Sequence, residues 1–184
     1  MEISVSINPA VMDGKLAQYI DWLNSMGKKY KGFSVHVDVM REDFVGTNYI
    51  SKEEYLYIMQ NCLLPMDVHL MTHDTEFFIK NKSKRVWTVI TPEGMINLDE
   101  QELKNTDPIL VMSVQAGASG RPSDIPAALE KVKLLPGKKI ILDGGINLDN
   151  IKQVKDAGVD VAVVGAALYN APDREKMLAK LLSV

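Results

Sequence analysis

The sequence predicts an α/β domain in which short parallel strands alternate with helices. Three observations favour this fold class: short runs rich in β-branched residues recur, amphipathic segments separate them, and no linker or low-complexity stretch divides the 184 residues. Gly, Pro or Asp bound the apolar runs, as expected for strands buried on both faces. Local pattern leaves two architectures open, a (β/α) barrel and an open doubly wound sheet. In either case we expect a single domain over residues 1–184.

Seven runs predict strands: 3–7, 33–39, 66–71, 86–90, 109–114, 139–142 and 161–164. Only 17 residues, 92–108, separate the fourth run from the fifth, and they include a weak apolar patch at 95–98. The four residues 91–94 lie between the fourth run and this patch. At ~3.5 Å per residue they can barely lead the chain back along a five-residue strand, so no helical crossover fits there. If the patch is a short strand, it makes eight, and we expect the fold to be trimmed or irregular between strands 4 and 6.

Sequence signals at helix ends predict several of the helices. Asp13 is placed to cap a helix whose apolar residues recur at helical spacing until Gly27. Ser51 and Glu54 form a capping-box pattern for a second helix. Asn147 is placed to cap a third helix, which lies between the sixth and seventh runs.

Composition and charge exclude two classes of partner. The chain carries 21 Lys and Arg against 24 Asp and Glu, a net charge of −3, so we expect no basic patch for nucleic acid or anionic membranes. The longest apolar stretch, 159–169, falls short of the ~20 residues that span a bilayer. A single cysteine, Cys62, excludes an intrachain disulfide, and no apolar signal core opens the sequence. We therefore expect a cytoplasmic protein without nucleic-acid or membrane partners.

Chemistry-bearing residues alternate along the second and third runs. They are Ser34, His36, Asp38 and Met40 in the second run, and Asp67, His69 and Met71 in the third. Because successive side chains of a strand point to opposite faces, each set shares one face. In a barrel the intervening valines would face the helices, which directs His36 and Asp38 inward near the carboxyl end of the strand. A later run ends in Asp143, again a carboxylate at a strand end.

These strand ends supply two imidazoles and two carboxylates, from His36, Asp38, His69 and Asp143. Taken singly, each has an ordinary structural explanation, since buried histidines are often hydrogen-bonded core residues and Asp143 fits an Asp-Gly-Gly turn. Together they form a mixed nitrogen and oxygen set, which predicts one divalent metal ion of the Zn, Mn, Fe or Co class. His73 follows the third run, and we expect it at the surface.

Small residues follow three of the runs and predict a second, anion-binding site. They are Gly117, Ala118, Ser119 and Gly120 within 115–121, the pair Gly144 and Gly145, and the pair Gly165 and Ala166. Glycines after strands let backbone N–H groups approach an anion, and barrels recurrently bind phosphate near their last two strands. Any one of these segments is more simply explained as a strand-to-helix turn, but three at one sheet edge favour the anion site.

Four motifs and a serine occur in a fixed order along the chain. The motifs are His-x-Asp-x-Met at 36–40, Asp-Val-His-Leu-Met at 67–71, Val-Met-Ser-Val at 111–114 and Asp-Gly-Gly-Ile at 143–146, and the serine is Ser6 of the first run. In this order they resemble the ribulose-phosphate 3-epimerase family, and the likeness spans nearly the whole chain. That family has a (β/α)8 barrel of the TIM type, so the resemblance, and not periodicity, favours a barrel over an open sheet.

The resemblance implies proton transfer at one carbon of a ketopentose 5-phosphate. Asp38 and Asp143 would stand on opposite faces of C3, one removing a proton and the other delivering one from the far side. D-ribulose 5-phosphate would thus become D-xylulose 5-phosphate through an enediolate. A cation held by His36, Asp38, His69 and Asp143 would stabilise the negative charge of that intermediate.

The resemblance also implies a sugar phosphate as the small-molecule partner. Ser6, Met40, Met71 and Met112 would contact it, the methionines by covering the intermediate with a surface that excludes water. Core packing explains Met112 at least as well. Because members of the family commonly self-associate, the resemblance leaves a homo-oligomer open.

Several segments depart from the family's pattern. Residues 115–121 are Gln-Ala-Gly-Ala-Ser-Gly-Arg in place of Asn-Pro-Gly-Phe-Gly-Gly-Gln, and Ala166 replaces a serine. Arg121 would offer the phosphate a charge-assisted contact in compensation. Residues 41–48 also differ from the usual Asp-Gly-His-Phe-Val-Pro-Asn, and 91–93 lack the family's fourth-strand histidine. These differences concern phosphate binding and the choice of sugar.

Three functions remain open on these residues. The first is a metal-dependent pentulose-phosphate 3-epimerase or a variant for another ketose phosphate. The second is a decarboxylase or aldolase of the hexulose-phosphate synthase type, but Met40 occupies the lysine position of its Asp-x-Lys-x-x-Asp motif. The third is a non-catalytic sugar-phosphate sensor, which has no need of the opposed carboxylates Asp38 and Asp143. We therefore predict an epimerase.

Overall fold

The computed structural model describes residues 1–90, 108–114 and 122–184. These residues form one sheet of seven parallel strands in the order β4-β3-β2-β1-β7-β6-β5. The strands are β1 (Glu2–Ser6), β2 (Phe33–Met40), β3 (Met66–Met71), β4 (Val86–Ile90), β5 (Ile109–Met112), β6 (Ile140–Asp143) and β7 (Val161–Val164). Each of the seven predicted runs therefore forms a strand.

Helices return the chain from the carboxyl end of one parallel strand to the start of the next. The described helices are α1 (Asn8–Met12), α2 (Leu16–Lys29), α3 (Glu42–Val45), α4 (Lys52–Asn61), α5 (Thr75–Lys80), α6 (Ile125–Lys133), α7 (Ile151–Asp156), α8 (Ala166–Tyr169) and α9 (Arg174–Leu182). Within the described ranges, no helix combines the length and apolar character needed to cross a bilayer.

The sheet curves into a nearly closed barrel, which confirms the barrel over the open sheet. Its two edge strands are β4 and β5, yet Ile90 of β4 and Leu110 of β5 share one buried interior cluster with residues of β6 and β7. The seam between β4 and β5 is the side where the sequence predicts a trimmed fold. The predicted short strand at 95–98 lies outside the described residues.

The barrel wall separates two kinds of side chain. Val35, Val37 and Val39 of β2 pack in the main core with helix residues such as Tyr19 and Ile58, as the alternation predicts. The interior is divided between an apolar half and a polar half. The apolar half is the cluster formed by Ile90, Leu110, Ile141, Val161 and Val163. The polar half is formed by β1, β2 and β3, and it positions the site described below.

The ends of α2 differ from the prediction. Asp13 does not cap this helix, because its carboxylate accepts hydrogen bonds from the Tyr169 hydroxyl at 3.0 Å and the Lys15 ammonium at 3.3 Å. Gly27 lies inside the helix and does not end it. A Cβ at Gly27 would overlap the side chain of Leu64, so the glycine permits close packing there.

The turn before α7 also differs from the prediction. The side chain of Asn147 accepts a hydrogen bond from the N–H of Asp149 at 2.8 Å, and that of Asn150 accepts from the N–H of Asn147 at 2.9 Å. The helix begins only at Ile151. Asn147 therefore organises the preceding turn and is not the helix cap.

The capping box at the start of α4 forms as predicted. The Ser51 hydroxyl accepts from the N–H of Glu54 at 3.1 Å, and the Glu54 carboxylate accepts from the N–H of Ser51 at 2.7 Å. Two backbone donors that the helix itself leaves unpaired are thereby satisfied.

We predict that Ser51→Ala lowers the free energy of unfolding by about 1 kcal/mol, because the first turn of α4 loses its cap. Urea denaturation measures this change. Ser25→Ala is the matched control, since Ser25 is exposed in the middle of α2, and it should change stability by less than about 0.5 kcal/mol. Equal stability of Ser51→Ala and the parent would contradict the capping role.

Candidate active site

Strand register brings the predicted site residues together at the carboxyl ends of the strands. On β2 and β3, Asp38 pairs with His69 and Met40 pairs with Met71. Because the strands are parallel and in register, side chains on the inner face of one strand lie beside those of its neighbour. The alternation seen in the sequence thus becomes one polar surface inside the barrel.

His36, Asp38 and His69 form the centre of this surface. One donor atom from each lies within 4.8 Å of the others. His36 Nε2 and His69 Nδ1 are each 2.8 Å from the same oxygen, Asp38 Oδ1. Both histidines are 0% exposed and Asp38 is 4% exposed. The structure therefore brings together three of the four predicted metal ligands.

The donor set fits a divalent ion. Two imidazole nitrogens and a carboxylate oxygen converge on one point in a buried setting, which is the chemistry that Zn, Mn, Fe and Co sites use. Asp143, the fourth predicted ligand, ends β6 in register with Met112 and is not part of the three-residue group. Its role as a ligand stays a prediction.

Charge pairing sets the protonation of the central pair. Burial opposes a charge on His36, but the carboxylates of Asp38 and Asp67 outweigh it and raise the pKa of His36 well above its ordinary value. Burial also opposes a charge on Asp38, but the positive charge of His36 and hydrogen bonds from both histidines lower the pKa of Asp38 far below its ordinary value. In the metal-free protein, an imidazolium therefore faces a carboxylate.

Asp143 lies in a different electrostatic environment. Burial raises the pKa of Asp143 to about 7, and the negative charges of Asp38 and Asp67 act in the same direction. The charge of His36 and the N–H of Gly144 oppose the shift. Near neutral pH the site thus contains one carboxyl group that stays ionised and one that can hold a proton, an arrangement suited to paired acid and base chemistry.

Two polar residues that are predicted neither as metal ligands nor as substrate contacts support His36. Asp67 is hydrogen-bonded to His36 Nδ1, and Ser4 donates a hydrogen bond to Asp67 at 2.6 Å. The signal for them was alternation: Asp67 stands two residues before His69, and Ser4 stands two residues before Ser6. Sequence alone could place them on the inner face, but it could not show which partner each one binds.

Three of the four predicted substrate-contacting side chains lie at the carboxyl ends of β1, β2 and β3. Ser6 pairs with His36 in the register of β1 and β2. Met40 and Met71 pair at the ends of β2 and β3, and Met112 packs against the apolar half of the interior. Their contacts with a substrate stay predictions.

The predicted anion site is only partly described. Gly144 and Gly145 have φ values of 110° and 64°, which favour glycine, and a Cβ on Gly145 would overlap Ser123. Gly165 follows β7 and lies beside Ser6, and Ala166 begins α8. The remaining members lie outside the described residues: Gly117, Ala118, Ser119, Gly120 and Arg121.

His73, predicted to be a surface residue, is exposed. Its ring packs edge-on against Phe44 of α3 with ring centres 5.4 Å apart. Its backbone N–H donates to the Asp43 carboxylate at 3.1 Å. His73 therefore joins α3 to the segment after β3 and takes no part in the buried cluster.

A family model covers most of the chain. The model of the ribulose-phosphate 3 epimerase family matches residues 6–84 and 73–169, which include the buried cluster and Asp143. The chain belongs to the ribulose-phosphate 3-epimerase family. The resemblance carried by the sequence motifs is thereby confirmed.

Individual members of the ribulose-phosphate 3-epimerase family align over most of the chain. The ribulose-phosphate 3-epimerase of Aquifex aeolicus is 30% identical over 186 residues, covering 82% of this chain and 83% of its own. That of Mycobacterium leprae is 29% identical, covering 80% and 81%. That of Schizosaccharomyces pombe is 25% identical, covering 97% and 93%. The likeness therefore extends over more than four fifths of the length of each of these relatives.

Solved structures support the barrel. The 3-hexulose-6-phosphate synthase of Salmonella typhimurium superimposes with a TM-score of 0.54 at 17% identity, covering 100% of this chain and 97% of its own. The orotidine 5'-phosphate decarboxylase of Pyrococcus horikoshii superimposes with a TM-score of 0.58 at 14% identity, covering 97% and 96%. At these identities the likeness concerns the fold alone.

We predict that Asp143→Asn stabilises the metal-free protein at neutral and alkaline pH. The unfolded carboxyl group ionises near its ordinary value of 3.8, whereas the folded group has a pKa of about 7, so its contribution to stability is lost as pH rises from about 4 to 7. The variant lacks this loss. Chelator-treated Asp143→Asn should match the parent near pH 4 and exceed it at pH 8 by roughly 1 to 2 kcal/mol, discounted because Asp143 is partly exposed.

Urea denaturation of both proteins at several pH values checks this prediction. Asp21→Asn is the control, because Asp21 is an exposed carboxylate on α2. Its stability difference from the parent should not change between pH 4 and pH 8. A constant difference for Asp143→Asn as well would show that the folded protein does not favour the protonated carboxyl group.

Proposed function

We propose that the protein is a metal-dependent epimerase that inverts C3 of D-ribulose 5-phosphate to give D-xylulose 5-phosphate. Membership of the ribulose-phosphate 3-epimerase family supports the reaction class. The observation that carries the mechanism is the buried His36–Asp38–His69 cluster at the carboxyl ends of adjacent strands, with Asp143 on β6 close enough to sense the charge of Asp38. Barrel enzymes place their catalytic groups at this end.

The two carboxyl groups supply the proton transfers in this proposal. Asp38 is held ionised by its histidine partners and takes a proton from one face of C3. Asp143 can hold a proton near neutral pH and delivers it to the opposite face. In the reverse direction the two groups exchange roles. Inversion follows because the proton leaves from one face and returns to the other.

We propose His36, Asp38, His69 and Asp143 as ligands of one divalent ion of the Zn, Mn, Fe or Co class. When bound, such an ion stabilises the negative charge that develops on a substrate oxygen as the proton leaves C3. The chain's own contribution is to hold both imidazoles in place and to keep bulk water away from the reacting carbon, since both histidines are fully buried.

Side chains around the cluster are proposed to bind the rest of the sugar phosphate. Met40, Met71 and Met112 would cover the reacting carbon, and Ser6 would donate a hydrogen bond to the substrate or to a catalytic carboxylate. The proposed phosphate-binding residues are Gly117, Ala118, Ser119, Gly120, Gly144, Gly145, Gly165 and Ala166. A cytoplasmic location and self-association stay predictions.

Position 40 argues against a decarboxylase or aldolase of the hexulose-phosphate synthase type. Its Asp-x-Lys-x-x-Asp motif would place a lysine amine there. This chain has Met40, in register with Met71 and 8% exposed. A thioether neither carries a positive charge nor donates a proton.

We predict that the protein exchanges the C3 hydrogen of ribulose 5-phosphate with D2O, and that Asp38→Asn and Asp143→Asn each slow this exchange by at least about 100-fold. An amide cannot serve as general base at either face. Proton NMR follows deuterium incorporation, and metal analysis of each variant separates loss of the carboxyl group from loss of the ion. Asp21→Asn on α2 is the matched control and should exchange at the parent rate.

Exchange at the parent rate in both variants would overturn the two-carboxylate mechanism. Absence of exchange in the metal-loaded parent with any ketose phosphate would favour the non-catalytic sensor. Exchange with another ketose phosphate but not ribulose 5-phosphate would place the protein among epimerases of different sugar specificity.

We predict that chelation of the metal abolishes the exchange, that added Zn, Mn, Fe or Co restores it, and that a restoring ion raises the thermal unfolding temperature. His69→Ala should lose metal binding because it removes one of three converging donors. His73→Ala, which removes an exposed histidine two residues after the end of β3, should bind the ion like the parent. Equal metal affinity of the two variants would contradict the proposed ligand set.

A further inference from the structure

A column of hydrogen-bonded side chains runs from His36 through the polar half of the barrel interior. The Ser34 hydroxyl donates to Ser4 at 3.1 Å, and the Ser4 hydroxyl donates to Asp67 Oδ1 at 2.6 Å. Asp67 Oδ2 is hydrogen-bonded to His36 Nδ1. All four residues are 0% exposed. The column therefore links the proposed metal site to the interior of β1 and β2.

Strand register explains why these four side chains meet. Ser4 pairs with Ser34 across β1 and β2, and His36 pairs with Asp67 across β2 and β3. Every member points inward because each occupies an alternate position of its strand. The five buried residues of the apolar half have no polar side-chain atoms, so among the described residues these four side chains satisfy one another.

Asp67 keeps a proton on Nδ1 of His36. An ionised carboxylate only accepts hydrogen bonds, so His36 Nδ1 must be the donor in this pair. A metal ligand of this kind binds through its other ring nitrogen, which for His36 is Nε2, the atom that faces Asp38 at 2.8 Å. When His36 is neutral and its one proton is on Nδ1, the lone pair of Nε2 is free to bind an ion.

Ser4 in turn determines how Asp67 is oriented. A hydrogen bond to Oδ1 restrains rotation of the carboxylate, which keeps Oδ2 directed at His36. Ser34 donates to the Ser4 oxygen, and the Ser4 proton is thereby left for Asp67. Asp67 therefore accepts one hydrogen bond on each carboxylate oxygen, from Ser4 on one side and from His36 on the other, and hydrogen bonds in such networks reinforce one another.

We propose that Ser4 is a positioning residue for metal binding: through Asp67 it fixes the ring orientation and tautomer of His36. This inference rests on the proposed metal site. A purely structural hydroxyl would contribute to stability and leave zinc affinity unchanged. A positioning hydroxyl also changes zinc affinity and the proton at His36 Nδ1.

The first test measures zinc affinity of the metal-free protein by competition with a chromogenic chelator, using zinc alone as the probe. Ser4→Ala should bind zinc about fivefold more weakly, the effect of losing one ordinary hydrogen bond. Asp67→Asn should bind it about 10- to 100-fold more weakly, as expected for loss of the group that holds a ligand directly. Ser34→Ala should have a smaller effect than Ser4→Ala.

Tyr55→Phe is the matched control. Its hydroxyl is buried and donates to the backbone oxygen of Phe78 at 2.8 Å, so the variant loses one buried hydrogen bond outside the barrel interior. It should bind zinc within about twofold of the parent. Ser4→Cys nearly keeps the size of the side chain but weakens the hydrogen-bond donor, so it should lower zinc affinity as Ser4→Ala does. It replaces Ser4→Ala in this test if the alanine variant does not fold.

The second test observes the imidazole nitrogens of His36 by proton–nitrogen NMR of the zinc-loaded protein. In the parent and in Tyr55→Phe, the Nδ1 proton should be present and protected from exchange with solvent. In Ser4→Ala its resonance should shift and its exchange should become faster. This readout reports the hydrogen bond to Asp67 and is independent of enzymatic activity.

Unchanged zinc affinity of Ser4→Ala together with an unchanged His36 signal would overturn the positioning role and leave the metal site intact. Weaker zinc binding without a change at His36 Nδ1 would overturn it as well, since the effect would not pass through that nitrogen. Failure of the parent to bind zinc or another divalent ion would overturn both this inference and the metal dependence of the proposed function.

Discussion

The pairing of His36 with Asp38 inside the barrel is the interaction on which the rest of the site depends. Both side chains are almost entirely removed from water, and an isolated charge in such a place costs several kcal/mol. The charge of each group offsets the free-energy cost of burying the other. His69 provides a further hydrogen bond to Asp38, and Asp67 accepts one from His36. A network of this kind is stable only when every member is paired. Its geometry is therefore tightly constrained, as the proposed metal site requires.

Asp38 and Asp143 lie in different surroundings inside the barrel, and their pKa values are shifted in opposite directions. Asp38 lies beside His36 and His69, so positive charge and hydrogen bonds favour its ionised form. Asp143 stands on β6, where burial and the charges of the other carboxylates favour its protonated form. The same type of side chain therefore favours its ionised form on one strand and its protonated form on another. Barrel closure brings the two within electrostatic reach although 105 residues of sequence separate their positions.

Strand alternation and the capping box of α4 were confirmed, whereas the helix-end predictions at Asp13, Gly27 and Asn147 were wrong. The alternation on β2 placed the valines toward the helices, and the capping box of α4 formed within four consecutive residues. Gly27 failed as a helix end because the packing of Leu64 requires a small residue there, and Asp13 failed as a cap because its carboxylate binds Tyr169. Neither partner is a sequence neighbour, so no pattern around Gly27 or Asp13 contains the necessary information.

The sequence by itself determined the strands, the residues that face the interior and, through its motifs, the family. Strand periodicity is a local property of the backbone, so it can be recognised residue by residue. Only the tertiary structure decided that His36 and His69 meet at a single oxygen of Asp38, and that Ser4 bonds Asp67 across 63 residues of chain. Register, rotamer and burial are fixed together when the barrel closes, and hydrogen-bond partners and pKa shifts follow from those distances rather than from the order of residues.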